Sequence, residues 1–115
     1  MNIWKEGKYI DLWLIPHLLI GILLGQLFLL INFNLTISLI IILALAIIWE
    51  LFEIIIKIKE AIPNKIIDVL AAIVGFYIIK YLYLSFDIFK NWISFFILLI
   101  IYSVITIHGL VSRKK

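Results

Sequence analysis

The chain has no cysteine and only two prolines in 115 residues, and charged side chains make up just 15% of it. Without cysteine, disulfides, thiolate metal ligands and lipid attachment through sulfur are excluded. There is also no extended basic segment, so the net charge of +3 does not describe a nucleic-acid-binding surface. The lysines stand beside apolar runs, where they set orientation and meet anionic head groups. No serine lies in a setting that would activate it as a nucleophile. What fills the chain is apolar: 66% hydrophobic residues and a mean hydropathy of +1.26, far above a soluble domain of this size. A single integral membrane domain follows.

Four apolar intervals are long enough to cross a bilayer, which takes about 20 residues at 1.5 Å each. The first runs over 10–31, behind an interfacial lead-in that holds Trp4, Lys5, Lys8 and Tyr9. Lysines before an apolar run also mark leader peptides, but this run is too long and lacks a small-residue cleavage site, so it reads as a span. Asp11 at its edge is expected to be solvated. Pro16 falls early enough in this span to be tolerated. His17, Gly21 and Gly25 recur at helical spacing, and the GxxxG pair permits close approach of another helix. Gln26, near the far side, suits an interhelical hydrogen bond. Asn32-Phe33-Asn34 makes an uncharged turn into a second span over 35–57, and the charged run around Lys57, Lys59 and Pro63 leads to a third over 64–86. Asn64, Asp68, Ala71 or Ala72, and Gly75 form one stripe of the third span, polar at its entrance and small beyond. After a connection holding Asp87 and Lys90, a fourth span covers 92–111 and ends at Arg113-Lys114-Lys115.

The count of basic residues orients the bundle. Lys5, Lys8, Lys57, Lys59, Lys65, Arg113, Lys114 and Lys115 fall on one side, and Lys80 and Lys90 on the other. The excess belongs to the cytoplasm, which places both termini there in a multi-pass protein of the cell membrane.

Within this topology the ionisable groups share a layer. Counted from the cytoplasmic boundary at 1.5 Å per residue, His17 and Glu50 lie at depths of about 10–12 Å, Glu53 at about 7 Å, and Asp68 and His108 at about 5 Å. An acid in a membrane-length apolar segment is costly and usually faces a protein interior or wet cavity. Such a layer supports three chemistries. His17, Glu50, Glu53 and Asp68 could ligate a divalent metal ion, as imidazoles and carboxylates on facing bundle helices do. The same groups could move protons or act as general acid and base, with Glu50, His17 and Asp68 as the catalytic candidates. Alternatively they are structural: Glu53 pairs with Lys57 four residues on, Asp68 joins Asn64 at a helix start, and His108 is an interfacial residue before the basic tail. Trp49 and Phe52, flanking Glu50, read as packing groups.

The pattern Trp49-Glu50-Leu51-Phe52-Glu53, followed by Asn64, Asp68 and Gly75 and preceded by Asp11 and His17-Leu18-Leu19-Ile20-Gly21, resembles the VanZ-like and YjdF-like small membrane proteins. It covers the chain from Asp11 to Gly75. The histidine lies six residues after the first acid, and the family's aspartate-rich stretch is reduced to Asp68. The resemblance implies a multi-span membrane protein with the same polar constellation, acting on the cell envelope or its lipids.

The expectation is therefore an all-α integral membrane bundle of four transmembrane helices. Its polar site opens to the cytoplasmic side, and its environment is the lipid bilayer. As an enzyme, a divalent ion or the acids would activate water at a lipid phosphate or ester. As a cation- or proton-binding transport module, it would need a homo-oligomer or a membrane partner, because four short helices enclose little space. As a structural subunit, its acids would pair with a partner's basic residues.

Overall fold

The computed structural model describes residues 12–56 and 62–113, with the side chain of Arg113 not among the described ones. Lys5, Lys8, Asp11, Lys57, Lys59, Lys114 and Lys115 therefore lie outside the described residues, as do Trp4 and Tyr9. The elements are α1 (Leu14–Leu30), α2 (Leu35–Ile55), α3 (Ile62–Ser85), a single 3₁₀ turn at Asp87–Phe89, and α4 (Trp92–Arg113). Among the described residues there is no strand. α2, α3 and the 92–112 stretch of α4 are long and apolar enough to cross a membrane, with mean hydropathies of 2.6, 1.8 and 2.3; α1, at 17 residues, is shorter. The molecule measures 40 × 26 × 20 Å, and its long dimension is close to the thickness of a bilayer with its head groups.

The turn between α1 and α2 shows how local sequence ends one helix and starts another. Asn32 adopts φ 58°, a left-handed conformation that asparagine tolerates better than most residues. Its N–H donates to Leu29 O at 3.1 Å, while Phe33 N–H reaches back to Phe28 O at 2.8 Å. These two bonds form a Schellman closure, and the accompanying apolar contact is the Phe28–Phe33 ring pair at 5.4 Å. Asn34 then caps α2, its Oδ1 accepting from Ile37 N–H at 3.0 Å. α4 starts in the same way, with Asn91 Oδ1 accepting from Ser94 N–H at 2.8 Å. α3 begins at Ile62, two residues before the expected boundary, because Pro63 is well placed in a first turn, where its missing N–H costs nothing.

α1 and α3 form the tightest pair in the bundle. A Cβ added to Gly21 would collide with the backbone carbonyl of Ala72, one added to Gly75 would collide with that of Leu18, and one added to Gly25 would meet Ile79 Cγ2 at 2.6 Å. The absent side chains are what let the two backbones touch, which is the principal route to helix association where lipid replaces water. Behind this seam, Ile42 of α2 packs with Ala72 and Phe76, flanked by Leu24, Phe28, Leu35, Leu39 and Ala46. α4 leans mainly on α1, and only 6% of its most apolar window is buried. The outer faces of α2 and α4 are rows of exposed isoleucine, leucine and phenylalanine. Such apolar faces are compatible with lipid and unfavourable in water.

Candidate functional site

Three helices each deliver one ionisable side chain to the same point. His17 stands in the first turn of α1, Glu50 in the last third of α2, and Asp68 in the second turn of α3. Because the three helices alternate in direction, a start, an end and a start meet at one end of the bundle. One potential ligand atom from each of the three lies within 4.8 Å of the others. His17 Nε2 and Asp68 Oδ2 are 3.4 Å apart, with the imidazole 11% exposed and the carboxylate 1%. Glu50 is 7% exposed.

The glycine seam explains why His17 and Asp68 meet. Gly21 is one turn beyond His17 on α1, and Ala72 is one turn beyond Asp68 on α3. The Gly21–Ala72 approach therefore draws the preceding turns of both helices together. Asn64, one turn before Asp68, is also fully buried. Since α3 already begins at Ile62, Asn64 and Asp68 sit inside the helix and face the bundle.

Glu53 is 3% exposed, and its Oε2 has no hydrogen-bond partner among the described residues. The proposed partner, Lys57, falls outside them. Glu53 does not belong to the convergent trio, though it lies on the same face of α2 one turn further on. His108 is exposed on α4 and also stands apart from the trio. Trp49 and Phe52 pack on each other with ring centroids 5.4 Å apart and are 42% and 45% exposed beside the acids, Trp49 also bordering a cavity.

Beside the trio lies a cavity of about 330 Å³ between α1, α2 and α4. Its wall is apolar except for His17, Tyr102 and Thr106, so the cavity and the ionisable trio share one residue, His17. Tyr102, Thr106 and the buried Trp13 carried no signal in the sequence. Each is an unremarkable residue of an apolar run, and only the lateral placement of α4 and the turn before α1 gives them a role.

The opposite end of the bundle is polar in a different way. Gln26, fully buried, donates from Nε2 to Phe89 O at 3.0 Å and to Ser94 Oγ at 2.8 Å, joining α1 to the 3₁₀ turn and α4. This is the interhelical hydrogen bond expected of it. Tyr83 adds a longer bond from its hydroxyl to Leu29 O at 3.4 Å. Compared with known proteins, the chain matches no family model, no curated protein and no solved structure.

Proposed function

We propose that this chain is a four-span membrane protein with both termini in the cytoplasm, and that His17, Glu50 and Asp68 hold a divalent cation near the cytoplasmic head-group layer, in the service of the cell envelope or its lipids. The observation that carries this reading is the convergence of three buried ligand groups from three helices within 4.8 Å. Donors about 2.0–2.6 Å from an ion lie at most about 4–5 Å from one another, so the trio needs little adjustment to close on one. Within the trio, His17 supplies at most one positive charge against two carboxylates. Charge buried in a membrane bundle must be balanced, and a divalent ion balances both acids at once. One imidazole with two carboxylates suits hard to borderline ions such as magnesium, manganese or zinc. The resemblance to VanZ-like proteins is in keeping with an envelope role.

Proton binding is the second reading, favoured by the direct His17–Asp68 contact at 3.4 Å. A conduction path through the bundle has less support, because Ile42, Ala72 and Phe76 fill the space between the two polar ends with apolar side chains that are at most 2% exposed. The deciding measurement is metal content of the detergent-purified chain after equilibration with manganese or zinc. About one ion per chain is expected, with loss in Glu50→Gln and Asp68→Asn. Equal metal content in all three proteins would remove the cation site.

A further inference from the structure

The cavity next to His17 has the dimensions and chemistry of a lipid-chain site, and we propose that it holds one acyl chain of a bilayer phospholipid with the head group at the His17 end. It follows α1 from Trp13 to Leu24, α2 from Trp49 back to Ile42, and α4 from Leu110 back to Tyr102. From His17 to Leu24 is seven residues, or about 10 Å along the helix. The cavity thus starts at the ionisable layer and runs toward the middle of the bundle. Its volume of about 330 Å³ falls in the range of small-molecule sites, which is about 300–1,000 Å³.

Two observations select a phospholipid chain as the occupant. First, the cavity is bounded laterally by α2 and α4, which do not pack on each other as α1 and α3 do. Their outer faces are apolar and exposed, so the gap between them opens toward lipid and not toward water. Second, polarity is distributed along the cavity as in an amphiphile: the ionisable trio stands at one end, and side chains such as Ile20, Leu24 and Ile42 line the remainder. A free fatty acid would bring a third carboxylate close to Glu50 and Asp68, whereas a zwitterionic phospholipid brings no net charge to that end. The proposal rests on the cation-site reading only for what the head group meets; occupancy of the cavity by the chain does not require a metal.

Trp13 provides the probe, because it lines the cavity and is 7% exposed. In a variant that keeps Trp13 as its sole tryptophan (Trp4→Phe, Trp49→Phe, Trp92→Phe), reconstitution into phosphatidylethanolamine and phosphatidylcholine vesicles with brominated acyl chains should quench its fluorescence. Adding Ala46→Phe fills the cavity and should cut this quenching by about twofold or more, since a packed interior leaves no room for an acyl chain. Leu45→Phe, on the lipid-exposed rim, should also reduce it and guards against misfolding of the first variant, with circular dichroism and gel filtration reporting the fold. Quenching that is absent at the start, or unchanged in both folded filling variants, overturns the proposal. Quenching by brominated fatty acid and not by brominated phospholipid overturns the choice of occupant. Metal content is measured on the same samples before chelator is added: quenching without bound metal counts only against the cation site, and quenching that survives chelation supports occupancy by the chain independent of any ion.

Discussion

The two ends of this bundle bury polar groups for opposite reasons. At one end Gln26 is a neutral amide whose two N–H donors are met by a backbone carbonyl and a serine hydroxyl, and it joins three segments of chain without introducing charge. At the other end His17, Glu50 and Asp68 are all ionisable, come from three helices, and carry more potential negative than positive charge. A neutral buried amide is an ordinary means of helix association in lipid, typically contributing about 0.6–2 kcal/mol. Three ionisable groups in the same setting are costly to retain, a cost that the proposed cation would offset. Burial alone does not separate the two ends; charge and the number of converging helices do.

The comparison can be broken or sharpened experimentally. The largest effect is expected from Gly75→Val, whose side chain would press into the Leu18 carbonyl and drive α3 from α1 next to the trio. Overpacking of this kind costs about 1–3 kcal/mol, and a rigid backbone partner puts it at the upper end. Both thermal stability in detergent and metal retention should fall. Asp68→Asn keeps the shape but removes one charge from the trio. Manganese or zinc affinity, measured by titration calorimetry, should drop by about 10–100-fold or more, because even groups behind the ligands have effects of that size. Gln26→Leu should do the reverse, lowering stability by about 0.6–2 kcal/mol while leaving cation affinity unchanged. A loss of cation binding in Gln26→Leu would mean the two ends are coupled and the contrast is false. Asp87→Ala removes the partner of Lys90 in an exposed pair 3.3 Å apart, where no measurable change in melting or binding is expected.

Much of this arrangement was readable from spacing alone. The four apolar intervals correspond to the four helices to within a few residues at the described boundaries, since a run of isoleucine and leucine of that length has few alternatives to a helix. The four-residue steps His17–Gly21–Gly25 and Asp68–Ala72 placed a polar group and a small residue on one face each, and the structure brings those faces together. Gln26 was legible for the same reason: a lone amide in an apolar run needs a partner on another helix. The cavity was not legible, because it depends on how far α4 stands from α2, and neither helix carries a periodic mark of that distance. The inequality between Glu50 and Glu53 was legible in part, since Glu50 lies deeper in its span and Glu53 has Lys57 four residues on, but the convergence on His17 was not. Both lie on one face of α2, and only the crossing with α1 and α3 decides which of them reaches His17. The 3₁₀ turn at Asp87–Phe89 shows in the sequence only as a connection, since three residues are too few for any hydrophobic period.

The Ile42–Ala72–Phe76 cluster has an electrical consequence. It places a dry, low-dielectric barrier between the two polar ends, and a membrane potential drops mainly across such a barrier. An ion reaching the trio from its own end therefore crosses only a small part of the field, while full transit would involve about 2.3 kcal/mol per charge for each 100 mV. Under the proposed cation site, occupancy of the trio should then follow the ion concentration on that side and be almost indifferent to voltage.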